Sequence, residues 1–285
     1  MHRAFRLLHQ LPRSTAPLRG TLALRAQPVV HKRSPLVWIS AAAAAGYLGY
    51  ETYRSPIFAE ASYVGTVSEP NTMLNFPIYL NTDASWKRLV GLGVRQVSFL
   101  NINVYVLGLY MPAKDIESLK SFKQWKNFDK SEFLSKEDMA MSLLDQPVDV
   151  SIRIVPVRTT SSQHLRDGFT RSLLQRMRDQ SADMTEDEER EIMQAIQVFK
   201  SYFPAAKVKK DTEFVFTKTR DDTLKMEFEG KEMGTVKNKW LAKNFVMGYL
   251  NPVQPASELA RQDIASGFEK LLREQEQESE DTNKA

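Results

Sequence analysis

Arg95, Tyr105, His164 and Arg171 are the residues of this sequence whose types and spacing could hold a ligand. Arg95 stands in "GVRQVSFLNINVYVLGLYM", residues 93–111, at the head of two strongly apolar strands. Counting by twos from it reaches Val97 and Phe99, whereas the other parity reads Gln96 and Ser98. Side chains alternate across a strand, so Arg95 is expected on the oily face. Desolvating a guanidinium without a partner is costly, so an anion should meet it there, either an internal Asp or Glu or a bound ligand. A hairpin loop at Asn101–Asn103 sets Phe99 opposite Tyr105. Arg95 and Tyr105 then share a face, about 13 Å apart along it by strand rise. A cation and a phenol flanking apolar surface suit a ligand with an acid head and an oily body. His164 and Arg171, seven apart in a helical segment, lie on roughly one face. Each also has an ordinary reading, as an exposed His at a helix start and a solvated Arg.

Other chemistries find little support. His2, His9 and His31 lie in the first 33 residues, which leaves His164 as the sole imidazole beyond them. That removes His-cluster metal sites and HExxH-type proteases, and no metal site is expected. The absence of cysteine excludes disulfides, thiolate catalysis and Cys-ligated metals. No GxSxG elbow accompanies His164, and "GLG" at 91–93 lacks the spacing of a P-loop or dinucleotide fingerprint.

The elements that must position these residues read as an α+β arrangement. Strands are predicted over Phe76–Leu80, Leu89–Leu92, Val94–Leu100 and Val104–Met111, followed by charged, irregularly helical segments through 113–145. "DVSIRIVPVR" alternates as a strand. "SSQHLRDGFTRSLLQRMRD" is a helix with N-capping serines and Leu165, Phe169, Leu173 and Met177 at helical spacing. The next helix opens on a capping box, Thr185 with Glu188. Three short strands over 204–238 precede the helix "KWLAKNFVMGYL" and the amphipathic "ASELARQDIASGFEKLLREQ". Strands, a helical pair, then strands and helices again predict a sheet with helices layered on one side.

The net charge of +4 has a local origin, because residues 1–33 carry seven Arg and Lys and no acid. Removing that +7 leaves −3 for the remainder, so the basic balance is no argument for nucleic-acid binding, and none is expected. Rich in Arg, Leu and Ala, residues 1–33 have the composition of a mitochondrial presequence. Residues 34–50, "SPLVWISAAAAAGYLGY", are uncharged and just short of the roughly 20 that span a bilayer comfortably. A single inner-membrane span is expected there, with an apolar end of the leader as the alternative. Positive charge before the span predicts that the domain faces the intermembrane space. Residues 51–72 read as linker, 73–274 as the folded domain and 275–285 as a solvated polar tail.

The strand pair at 93–111 resembles the signature of the chalcone isomerase fold. So do "VPVRTTSSQHLRDGFTRSLLQRM", "MTEDEEREIMQAIQVFKSYFP", "DTEFVFTKTRDDTLKMEFEG" and "GTVKNKWLAKNFVMGYLNPVQPASELA", in the family's order over roughly 74–272. With the leader and span, the chain is most similar to the family's fungal mitochondrial branch, the altered-inheritance-of-mitochondria group. The resemblance implies an open-faced β-sandwich, with a large antiparallel sheet, helices on one face and a ligand cleft between them. It sets Arg95 at the arginine that holds a phenolate in the plant isomerases. Tyr105 then falls at their threonine, His164 near their tyrosine, Arg171 on or near their asparagine, and Gly248 near their second hydroxyl residue. The anion clamp is kept and the water-ordering groups are not, so chalcone cyclisation is not expected. A Tyr in place of that Thr is similar to the family's fatty-acid-binding branch, where Arg and Tyr hold a carboxylate. The expected function is therefore a non-catalytic binder of an apolar carboxylate, a fatty acid or a haem. Haem propionates suit Arg95, and His164 is the available axial ligand. The alternatives are an intramolecular lyase or isomerase using Arg95 to stabilise an oxyanion, and a structural module at the inner membrane.

Overall fold

A computed structural model describes residues 65–98 and 100–284, with side chains through 274. The expected presequence, span and most of the linker lie outside the described residues. Among the described residues no helix is long and apolar enough to cross a membrane.

The strands are β1 (Thr66–Ser68), β2 (Asn75–Pro77), β3 (Tyr79–Thr82), β4 (Ser85–Val97), β5 (Ile102–Met111) and β6 (Val150–Pro156). They continue with β7 (Thr160–Ser161), β8 (Lys207–Val208), β9 (Phe214–Lys218), β10 (Leu224–Phe228) and β11 (Lys231–Val236). The helices are α1 (Ala113–Ser118), α2 (Lys130–Ser135), α3 (Asp138–Leu144), α4 (Ser162–Gln180), α5 (Glu186–Ser201), α6 (Lys239–Leu250) and α7 (Glu258–Lys284). Seven strands form an antiparallel sheet in the order β11-β10-β9-β6-β5-β4-β3. The helices pack on one face, where Leu107, Leu109, Ile152, Ile154, Phe214 and Phe216 meet Phe169, Phe199, Phe245 and Phe268. On the opposite face lies a smaller apolar cluster of Phe76, Leu92, Val94, Val106, Tyr110 and Val155. This is the predicted α+β architecture.

Chain ends and caps follow local chemistry. Ser161 accepts from the backbone of His164 to start α4, and the Thr185–Glu188 capping box is fully formed at α5. The folded part begins earlier than the expected boundary at 73. Buried Glu69 gathers Asn71 and Thr72 into the turn between β1 and β2. At the other end α7 runs through Lys284, across the expected polar tail. That tail contains neither Pro nor Gly and is rich in helix-tolerant Glu and Gln.

Two strand predictions need correction. Leu89–Leu92 and Val94–Leu100 are one strand, β4, kinked where the register shifts at Val90. Such a bulge adds one residue and bends the strand. Gly91 and Gly93 then let α7 press against it, since a Cβ on Gly91 would lie 2.5 Å from Ile264 N. The expected loop at Asn101–Asn103 is also displaced. The chain turns at Ser98–Asn101, with both residues at positive φ and Asn101 N donating to Ser98 O at 3.2 Å. Asparagine accepts that conformation readily.

Candidate functional site

The displaced turn changes the geometry of the site. Arg95 pairs directly with Tyr105 across β4 and β5, instead of standing about 13 Å along the face from it. A second register shift follows Arg95, so the parity that grouped it with Val97 does not hold. Val97 is exposed, and Gln96 turns to the Asn103 side chain at 2.9 Å. Arg95 itself is partly buried on the helix face. Its Nη1 donates to the Tyr105 hydroxyl at 3.4 Å, and its guanidinium carbon lies 5.7 Å from the centre of the Tyr105 ring. No Asp or Glu among the described residues is an ion-pair partner of Arg95. The internal-carboxylate reading of this arginine therefore finds no partner within the described chain.

Behind the arginine is a second phenol. Tyr249, on α6, has its hydroxyl 3.3 Å from that of Tyr105, and each residue is only 3% exposed. The Tyr105 phenol chiefly raises the Arg95 pKa, partial desolvation opposes it, and Tyr249 adds to the rise. Burial pushes the Tyr249 hydroxyl well above its ordinary value, with the neighbouring Tyr105 adding to the effect. At neutral pH the site thus holds a fixed cation and a protonated phenol.

These groups face two spaces that share Arg95, Gly168, Ser172 and Gly248 in their walls. The inner one is a cavity of about 20 Å³ with a mixed lining, apolar at Phe169, Leu173, Phe245 and Ala256 and polar at Arg95, Ser172 and Tyr249. That is room for about one water. Outside it a polar cleft of about 310 Å³ opens between α4 and the loop after α6, again reaching Arg95. Gly168 and Gly248, which border both spaces, carry no side chains to fill the gap between α4 and α6. The inner space is small because Phe169, Phe245, Phe199, Phe203 and Phe216 interlock there, with ring centres 4.6–6.2 Å apart.

The structure brings Arg95 and Tyr105 together and sets Arg171 at the wall of the outer cleft, exposed. It does not bring His164 to either space. That residue is exposed on the first turn of α4, where Ser161 caps its backbone. A seven-residue spacing places two side chains on one helical face but does not say which part of that face meets the cleft. Arg176, also at the cleft, is occupied by Glu137 and by Asn244 at 2.8 Å. Tyr249 is the main residue the sequence reading missed. Its only signal was the spacing of Phe245 and Tyr249, four apart on a helix whose faces are nearly all apolar.

A family model described as "Chalcone isomerase like" matches residues 86–265. "Altered inheritance of mitochondria protein 18, mitochondrial" of Debaryomyces hansenii is 29% identical over 207 residues, which is 66% of this chain and 67% of that protein. "Fatty-acid-binding protein 1" of Arabidopsis thaliana is 25% identical over 203 residues, 70% of this chain and 69% of that one. The crystal structure of an Arabidopsis thaliana fatty-acid binding protein superposes with a TM-score of 0.59 at 24% identity, covering 73% of this chain and 100% of that one. That likeness concerns the fold.

Proposed function

The chain belongs to the chalcone isomerase-like family, and we propose that within it this protein is a non-catalytic binder of an apolar carboxylate, best a fatty acid. One observation carries the reading: a guanidinium bordering a cavity walled by Phe169, Leu173 and Phe245, contacted by the Tyr105 phenol and by no described carboxylate. An ionised acid head would complete that arrangement with charge-assisted bonds, and the Phe169 and Phe245 rings that bound the cavity are apolar surface of the kind an alkyl chain needs. A relative named for binding fatty acids supports it. Because the inner cavity holds about one water, ligand entry requires the Phe169, Leu173 and Phe245 side chains to part. Haem is the less favoured ligand, since His164 stands away from the cleft that the propionates would share with Arg95. Isomerase chemistry would rest on Arg95 as an oxyanion partner.

Placement in the mitochondrion is part of the same proposal. It is supported by the name of the Debaryomyces relative and by the composition of residues 1–33. Tethering through 34–50, with the domain in the intermembrane space, follows from the charge distribution. Protease added to mitoplasts should then degrade the domain, and protection until detergent is added would refute that side.

The ligand is tested by purifying the protein from its native host, extracting it with organic solvent and recording a visible spectrum. A stoichiometric fatty acid without a Soret band is expected. A Soret band would replace the fatty acid with haem, and an empty cleft that takes up neither would refute the binder.

A further inference from the structure

We propose that Tyr249, and not Tyr105, is the phenol that donates to the ligand carboxylate, with Tyr105 serving as a relay between it and Arg95. This rests on the fatty-acid reading above. The argument is a count of donors. Arg95 has no acceptor sites, so in the Arg95–Tyr105 contact the Tyr105 oxygen accepts. A phenol has one proton to give, and the 3.3 Å contact between the two hydroxyls can run in either direction.

If Tyr249 donated to Tyr105, the Tyr105 proton would need another acceptor. Tyr105 does not border the cavity, and its hydroxyl has no third partner among the described residues. A buried donor would be stranded, an unfavourable arrangement. If Tyr105 donates to Tyr249, the one unpaired proton is that of Tyr249, and it is left for the cavity that Tyr249 does border. The order is then Arg95 to Tyr105 to Tyr249 to ligand. Each bond polarises the next, so the cation strengthens the terminal donor as well as acting directly. Burial keeps Tyr249 protonated far into the alkaline range, as a donor requires.

The ligand class follows from the same count. Arg95 and Tyr249 offer donors to the cavity and Ser172 can supply a third, so an acceptor-rich head group suits it best. An ionised carboxylate fits. An alcohol or primary amide brings a proton of its own, for which Ser172 is the lining side chain left to accept, and it brings no charge for Arg95.

The experiment is calorimetric titration of the full-length protein, Tyr249→Phe and Tyr105→Phe with palmitate, with ¹³C NMR titration of carboxyl-labelled palmitate in each. Tyr249→Phe should weaken binding about tenfold or more, and because it also removes the acceptor of the Tyr105 proton the ligand-free melting temperature should fall by a few degrees. Losing a bond to the ionised form should also raise the pKa of bound palmitate by about one pH unit. A merely structural role would not move that value. Tyr105→Phe should weaken binding only about two- to fivefold, because the terminal donor remains. If Tyr249→Phe binds within twofold of the parent, or if Tyr105→Phe is the variant that loses tenfold, the assignment is overturned. An unmodified protein that takes up no palmitate would instead remove the fatty-acid reading itself.

Discussion

Arg95→Met separates a ligand clamp from a structural arginine, because only the structural role makes its loss costly to the ligand-free fold. Methionine keeps the stem and removes the charge. In the ligand-free protein Arg95 gives up one 3.4 Å contact to a phenol and a position over the Tyr105 ring. A neutral hydrogen bond contributes about 1 kcal/mol net, and a partly exposed cation–π contact about 0.5–1 kcal/mol. Against this stands the removed desolvation of a guanidinium without a carboxylate, discounted because the residue is only partly buried. The balance is within about 1 kcal/mol of zero, so the melting temperature should shift by no more than about 2–4 °C for a domain of this size. Palmitate at a hundredfold excess over its Kd should stabilise the parent by about 2.7 kcal/mol, or roughly 5–11 °C, and the variant far less. The assay is thermal unfolding of both proteins with and without palmitate. Were Arg95 the partner of a buried acid, the substitution would strand a carboxylate and lose about 3–5 kcal/mol. A large drop in ligand-free melting temperature with an intact palmitate shift would refute the clamp.

Four further outcomes follow from the geometry. Gly168→Phe should reduce palmitate affinity at least about tenfold by filling the space beside Arg95, without lowering the melting temperature, since a Cβ there meets nothing within 4 Å and helix propensity improves by about 0.5 kcal/mol; unchanged titration curves would contradict it. Gly267→Ala should lower stability by about 1–3 kcal/mol or more, because its Cβ would fall 1.7 Å from the Val90 carbonyl oxygen; an unchanged melting curve would show that α7 can move off β4. Thr185→Ala breaks the α5 capping box and should lower stability by about 1 kcal/mol while leaving palmitate titration unchanged. Lys87 is 0% exposed and donates to Ser151 at 2.9 Å, and desolvation lowers its pKa despite opposing attraction from Asp149, Asp83 and Glu227. Between that lowered value and 10.5 the unfolded chain binds more protons than the folded one, so stability should rise with pH through this window. Lys87→Met should flatten the rise in denaturant titrations, and an equal slope in both proteins would contradict the assignment.

The layers of this fold are legible in the sequence because each rests on local chemistry. Ser161 and Thr185 announce the starts of α4 and α5, and turn residues bound β9 to β11. The register of β4 on β5 is not legible. It depends on a bulge at Val90 that Gly91 and Gly93 permit only because α7 lies against them, a contact between segments about 170 residues apart. With the register went the distance from Arg95 to Tyr105, so the pair was found but placed too far apart. Tyr249 escaped for a related reason. α6 is buried on nearly every side, so its pattern does not mark one face as functional, and its partner is 144 residues away. His164 and Arg171 show the reverse case, in which a correct helical face was not enough to place both side chains at the cleft.

The central claim is that Arg95 holds an ionised acid at a cavity walled by Phe169, Leu173 and Phe245. Its most direct test compares palmitate with hexadecanol, which has the same chain and no charge, by calorimetric titration of the unmodified protein. The account predicts palmitate binding at least about tenfold tighter, as a charge-assisted bond of roughly 1.5–3 kcal/mol requires. Equal affinities, or tighter binding of the alcohol, would contradict it.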